Sequence, residues 1–374
     1  MNCKNGGRVT ELDLKALNLV GTISPHIGNL TALRSLYLHD NHFASNIPNH
    51  LGRLHQLQLL NLSGNLLTGT IPPAFTNCTS LMTIDLSGNA ISGGIPASMH
   101  LLQKLRVLNM GKNQLDGSIP PSIGNLSLLS HLDVNTNNLT GEIPEAMGRL
   151  DHIQHLQLSI NSLKGIVPMQ LYNRSTLVFF AFAKNDLYGE IPSDIGFRLP
   201  NLRVFHNCFN KFSCAIPPSL HNVTKIESIR MSNNLFTGSV PPGLNRLHSL
   251  VMYNIGFNHI SDTTSIITGL TNCTNLQFIA LDENLIEGWL PDSFGNLSSS
   301  LEKLYLGGNR INGQIPLSIG SLTSLTLLNM SYNQLSGSIQ SEIGRLSQLT
   351  VLGLAGNKLS GLLPAEIGHL TQLT

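Results

Sequence analysis

Charge is scarce in this chain. Asp, Glu, Lys and Arg together make up 11% of its 374 residues, and the formal net charge is +1. A protein that holds nucleic acid or an acidic membrane shows a basic patch as its footprint, so neither partner is expected. No apolar run approaches the ~20 residues a membrane-spanning helix needs, and direct membrane contact by this segment is not expected. Met1 is followed by Asn2-Cys3-Lys4, which is no signal peptide. A phosphate-binding glycine loop closed by lysine, a nucleophile elbow and a His/Cys cluster at metal spacing are all missing. The chain is therefore read as a non-enzyme, with no catalytic residue, no cofactor and no metal.

What is abundant is repetition. Asparagine recurs at one constant interval through Asn41, Asn65, Asn89, Asn113, Asn137, Asn161 and Asn185, and again at Asn210, Asn234, Asn258, Asn284, Asn309, Asn333 and Asn357. The phrase around it returns each time, as in Leu57-x-x-Leu60-x-Leu62-x-x-Asn65-x-Leu67-x-Gly69-x-Ile71-Pro72. Its Leu-x-Leu centre has period two, the reading of a short strand with leucines inward and the residues between them outward. Stacked units bring such strands side by side, parallel, about 4.8 Å apart. No unit covers its own apolar face, so stability is roughly a sum of unit and interface terms.

The recurring asparagine follows the strand where the chain turns inward. A buried amide there needs partners for its oxygen and both N–H groups, and backbone of its own and adjacent turns is the expected source. Gly69 and its equivalents relieve crowding where the chain bends again. Proline after it, at Pro72, Pro96, Pro120, Pro144, Pro192 and Pro316, is expected to keep that segment extended. Leu17 takes the asparagine slot in the first unit.

A repeat of this length with this spacing is the leucine-rich-repeat signature. The predicted fold is an α/β repeat solenoid, a superhelix with one parallel strand per ~24-residue unit and about 15 units. Residues 1–374 are read as a single solenoid, with 1–11 as the remnant of an N-terminal cap, 259–271 as an irregular insertion and 358–374 as a last, incomplete unit.

The fuller phrase Asn-x-Leu-x-Gly-x-Ile-Pro-x-x-Ile-Gly-x-Leu, at Asn113 to Leu126 and Asn357 to Leu370, resembles the plant-specific class of leucine-rich repeat. The chain is similar to the ectodomains of plant leucine-rich-repeat receptor-like kinases. Two stretches narrow the resemblance: Gly7 to Leu14 with Gly21 to Leu30, and Leu270 to Gln277 with Leu304 to Asn309. Both are similar to the subfamily of immune receptors for bacterial flagellin and elongation factor and of the rice bacterial-blight receptor. The resemblance implies an extracellular domain at the plasma membrane that binds a peptide or protein ligand and docks a co-receptor kinase ectodomain. It also implies caps, a membrane span and a kinase domain that are not seen here, so the chain is read as an ectodomain fragment with exposed apolar ends, and only Cys3 stands for a cap cysteine. Two other readings stand beside it: a secreted inhibitor of a microbial enzyme, similar to the polygalacturonase-inhibiting proteins, and a gene fragment without function.

Asn-x-Ser/Thr sequons occur at Asn29, Asn61, Asn77, Asn125, Asn138, Asn173, Asn222, Asn272, Asn296 and Asn329. Six of them, Asn29, Asn77, Asn125, Asn173, Asn222 and Asn296, hold one place in the repeat, midway between asparagine-slot positions and on the side away from the strands. That placement favours N-glycans on a secreted protein over chance. Cys78 and Cys273 occupy equivalent sites and read as small core residues. Cys208 and Cys214 lie in one repeat, and spacing alone leaves a disulfide between them open.

Three intervals break the period. Asn185 to Asn210 and Asn284 to Asn309 are each one position longer than the rest, and Asn258 to Asn284 is two positions longer. The longest, around Ser261 to Leu270, puts Asp262 and Thr264-Ser265 in the Gly and Ile-Pro slots and suggests a helical turn through Ile266, Ile267 and Leu270. Ligand recognition is expected on the outward strand positions: His131, Asp133, His155, Gln157, Phe179, His206, Phe209, Arg230, Asn254, Phe257, Phe278, Asp282 and Tyr305. Aromatic and Arg residues are enriched at interface hot spots, although Phe179, Met252 and Phe278 also read as side chains packed on neighbouring repeats. His131 and His155 hold one slot in consecutive repeats with Asp133 nearby. Three ligands from a flat ladder are not expected to converge, so a solvated polar face is the reading there.

Overall fold

The computed structural model describes residues 2–4 and 8–374; the Cys3 side chain and part of the expected cap remnant fall outside the described residues. Two compact units, Met1–Tyr188 and Gly189–Thr374, are built on the same repeat.

In the first unit the Leu-x-Leu segments form a parallel ladder in the order Arg8–Asp13, Ser35–Tyr37, Leu59–Asn61, Thr83–Asp85, Val107–Asn109, His131–Asp133, His155–Gln157 and Phe179–Ala181. Asn2–Lys4 adds an antiparallel strand against Arg8–Asp13. In the second unit the order is Val204–His206, Ser228–Arg230, Met252–Asn254, Phe278–Ala280, Lys303–Tyr305, Leu327–Asn329 and Val351–Gly353. The register is in phase from repeat to repeat, so Leu36, Leu60, Ile84, Leu108, Leu132 and Leu156 pair in one row. All six are essentially fully buried. At about 2 kcal/mol per buried aliphatic side chain, such rows supply the packing that one repeat cannot generate alone.

A second ladder runs beside the first. In the first unit Val20–Thr22, His42–Asn46 and Leu66–Thr68 pair in parallel, as do Thr140–Glu142, Ser162–Ile166 and Asp186–Gly189. In the second unit Glu287–Trp289, Arg310–Gly313 and Gln334–Gly337 do the same. The one strand per unit read from sequence is thus joined by a second strand in most repeats. Its glycines carry positive φ, 74° at Gly69; that bend lets segments without a Leu-x-Leu pattern meet at the repeat spacing.

Proline acts for one residue only. The expectation of an extended segment after Pro72 and Pro120 is corrected by the 3₁₀ turns Pro73–Asn77 and Pro121–Asn125, which begin at once. Pro72 and Pro120 are extended, and their carbonyls accept the N–H of Phe75 and Ile123 at 3.0 Å. A proline outside the turn has no N–H to lose, so it caps the turn. Within the second turn a Cβ on Gly124 would lie 2.0 Å from the Ala146 carbonyl oxygen, which limits that position to glycine.

Each repeating asparagine closes the turn after its strand. Asn65 Nδ2 donates to the carbonyls of Leu38, Leu62 and Ser63 at 3.0 to 3.1 Å, and its Oδ1 accepts the Phe43 N–H at 3.0 Å. The same four bonds recur at Asn137 and Asn258. They survive the irregular spacing, because Asn284 reaches Ile255, Leu281 and Asp282 and accepts from Ile260. The residue before each asparagine is left-handed, even where it is Ile160, Phe209, Phe257 or Tyr332, with φ of 54° to 58°. That conformation costs a non-glycine residue of order 1 kcal/mol, and the amide bonds hold it.

The insertion folds as a helix, Ser265–Leu270, with Ile266, Ile267 and Leu270 buried. Behind it His221 is fully buried; its Nδ1 donates to the Pro241 carbonyl at 2.9 Å, and its Nε2 stands 3.5 Å from the Tyr253 hydroxyl. Cys78 and Cys273 are buried, each with its thiol 3.2 Å from a carbonyl. Cys208 and Cys214 are both free. Leu362 and Leu363 are exposed.

Replacing Asn137 or Asn258 by Ala leaves buried carbonyls and an N–H without partners, and each change is expected to destabilise the protein by about 2 to 4 kcal/mol, measured by urea denaturation. Burial pushes the His221 imidazole down to about 4 against an ordinary value of 6.5. Between those values the unfolded chain binds a proton that the folded chain refuses, so the His221 contribution is present above pH 6.5 and lost as pH falls through 4. Denaturation midpoints measured from pH 7 to pH 4 are expected to fall less in His221→Gln than in the parent.

Candidate ligand-binding face

The strands are three residues long in most repeats, so each offers two outward positions. In the first unit the first of these aligns His131, His155 and Phe179, and the second aligns Asp133 and Gln157. The His131 and His155 rings stack with centroids 4.0 Å apart and planes 10° off parallel, and Phe179 covers the other face of His155 at 4.1 Å. All five side chains are half-buried by one another. Burial holds the His131 imidazole below its ordinary value against the opposing pull of Asp133 and Asp85. It pushes His155 to about 4, with the neighbouring His131 adding to the shift. Asp133 Oδ1 accepts the Asn135 backbone N–H at 2.9 Å and its side-chain Nδ2 at 2.6 Å, while Gln157 Oε1 accepts the Ser159 N–H.

In the second unit the second outward position aligns His206, Arg230, Asn254, Ala280 and Tyr305. His206 Nε2 meets the Ser228 hydroxyl at 2.8 Å, and burial, then Arg230, push its imidazole down to about 4. Arg230 Nε contacts the Met252 sulfur at 2.6 Å. Phe278 and Tyr305 pack as a tilted pair with centroids 5.5 Å apart. Met252 and Phe278 are half-buried by these neighbours, so the face is a tiled surface rather than a row of free aromatics.

Three candidates are not on the strands. Phe209 and Phe257 occupy the left-handed position before Asn210 and Asn258, with φ of 55° and 54°, and are exposed. Asp282 follows the strand Phe278–Ala280, and its Oδ1 closes on Gly256. Burial raises its carboxyl above the ordinary carboxylate value. The strand ends sooner than the alternation of the sequence implies, because the asparagine turn begins immediately after it.

Two features escaped the sequence reading. Asn207 fills a core leucine slot, is fully buried, and neither of its amide atoms has a hydrogen-bond partner among the described residues; the signal was a polar residue inside Val204-Phe205-His206-Asn207. A recess of about 310 Å³ lies beside the inserted helix, between Val240-Pro241-Pro242-Gly243-Leu244-Asn245 and Asp262, Ser265, Ile266 and Gly269. Asp262 Oδ2 accepts the Val240 N–H at 2.7 Å across it.

The sequons divide by place. Asn29, Asn77, Asn125, Asn173, Asn222 and Asn296 end 3₁₀ turns and are exposed. Asn138 and Asn272 are also exposed. Asn61 and Asn329 lie on the strand faces, where Oδ1 of each accepts the N–H of its own sequon serine.

The leucine-rich-repeat family matches residues 32–54, 56–78, 80–102, 104–126, 128–150, 225–247 and 348–370, and a second leucine-rich-repeat description matches 274–335. The Arabidopsis receptor kinase HAESA ectodomain, solved with an IDA peptide hormone, is 30% identical with a TM-score of 0.87, over 98% of this chain and 65% of that one. The plant peptide hormone receptor RGFR1, solved with RGF2, is 31% identical with a TM-score of 0.81, over 95% of this chain and 64% of that one. The receptor kinase-like protein Xa21 of rice is 41% identical over 90 residues, 23% of this chain and 9% of the rice protein. The chain thus spans less than two thirds of these relatives. It belongs to the leucine-rich-repeat family, and it is similar to the ectodomains of plant receptor kinases.

Proposed function

We propose that this chain is the extracellular recognition domain of a plant receptor that binds a peptide or protein along its strand faces and docks a co-receptor kinase ectodomain. The observation that carries this reading is the match, over 95% and 98% of the chain, to two ectodomains solved with peptide hormones. A further solved relative, HAESA with IDA and the co-receptor SERK1, supports the docking step. The strand faces supply what such recognition needs: a rigid scaffold, tiled aromatic side chains and a cation, Arg230, among them. The exposed sequons on the 3₁₀ turns leave the strand faces open, which fits N-glycans on the outer side.

Two measurements test the reading. Capture of a co-receptor ectodomain by the secreted protein is expected only when extracts of bacteria, fungi or plant tissue are added. Arg230→Ala and Tyr305→Ala are expected to weaken that capture tenfold or more, while Arg53→Ala leaves it unchanged; capture independent of extract, or insensitive to both face variants, overturns it. Glycopeptide mapping of the plant-expressed protein is expected to find glycans at Asn77, Asn125 and Asn222 and none at Asn61 or Asn329.

A further inference from the structure

Two strands bring three metal-binding groups to one point. His131 and His155 are register partners on adjacent strands, and Asp133 is two residues beyond His131 on the same face. One ligand atom from each lies within 4.8 Å of the others. Tetrahedral zinc with bonds of about 2.0 to 2.1 Å needs its ligand atoms roughly 3.3 Å apart. The two rings lie stacked, 10° off parallel, and imidazole lone pairs lie in the ring plane, so sharing one ion requires the rings to turn out of that stack about χ2. The flat ladder is no obstacle, because the residues converge across a single strand spacing rather than along the sheet.

The surroundings suit ligation. None of the ring nitrogens of His131 and His155 has a hydrogen-bond partner among the described residues, so their lone pairs are uncommitted. Asp133 is anchored through Oδ1 by the backbone and side-chain N–H groups of Asn135, which leaves Oδ2 for a ligand role. Such backing from a second residue is what orients a ligating carboxylate. Phe179 covers the other face of His155, with ring centroids 4.1 Å apart. Asp85 adds negative potential toward His131.

We propose that His131, His155 and Asp133 form a three-ligand site for a divalent transition metal of the zinc type, with the fourth coordination position open to the solvent side of the sheet. Two imidazoles and one carboxylate are the ligand set of zinc sites that keep an exchangeable position, and imidazole favours zinc, copper and nickel over magnesium or calcium. The site stands on side-chain geometry and does not rest on the receptor reading.

The test is a zinc titration of the intact chain by calorimetry at pH 7.5, with cobalt(II) absorption as a second readout. The parent protein is expected to bind one zinc ion and to give the intense visible bands of tetrahedral cobalt. His155→Phe keeps the stack on Phe179 and removes the ligand, and it is expected to weaken zinc at least tenfold, as is Asp133→Asn. His50→Ala, at an exposed histidine on an earlier 3₁₀ turn, controls for scattered binding and is expected to change nothing. Unchanged circular dichroism separates ligand loss from misfolding. Absence of saturable binding, or one-to-one binding retained in the double variant His131→Ala/His155→Phe, overturns the proposal.

Discussion

The buried amide of the repeating asparagine is the interaction on which the rest of the structure depends. A chain that turns back on itself once in every repeat must bury backbone carbonyls just after each strand, and such groups are costly without partners. One side chain answers with three donor contacts and one acceptor contact, divided between its own turn and the preceding one. That arrangement needs the left-handed residue before it and tolerates almost any side chain there, from Gly64 to Ile160 to Phe257. It also tolerates a longer interval, as Asn284 shows, because the insertion is expelled from the turn into the helix Ser265–Leu270.

Once the turns are held by backbone and amide, the outward strand positions carry no structural duty beyond tiling. Their side chains bury one another across the strand spacing: His131 on His155, His155 on Phe179, Phe278 against Tyr305. The stacking is why these imidazoles resist protonation, and the same closeness is what gathers His131, His155 and Asp133. The two sides of a three-residue strand thus differ in kind: one is buried in the core, and the other is tiled by half-buried side chains.

Much of this was legible in the sequence because a repeat writes each physical requirement many times. The Leu-x-Leu alternation and the asparagine follow from periodicity, and the helical turn at Ile266 and Ile267 from the place where the period breaks. The second ladder was not legible, since Leu66–Thr68 and Arg310–Gly313 each offer a single buried side chain, Leu67 or Ile311, where the first ladder has the full Leu-x-Leu centre. Nor was the 3₁₀ turn after Pro72, where a residue that breaks one helix caps another. Phe209 and Phe257 were read as strand residues because outwardness was visible and strand length was not. Convergence of two histidines and an aspartate depends on χ angles, which no spacing encodes.

The amide contacts also have a direction. Asn65 serves carbonyl and N–H groups at Leu38 and Phe43, in the turn before its own, and Asn89 serves Leu62 and Leu67 in the same sense. In these bonds a repeat is completed by the one that follows it and not by the one that precedes it. Removing the repeat on the C-terminal side leaves its neighbour's carbonyl and N–H without the amide, whereas removing the one on the N-terminal side leaves the next asparagine bonded within its own turn. The two faces left by a break between repeats are therefore chemically unlike: one presents an unanswered carbonyl and N–H, the other an amide still bonded to its own turn.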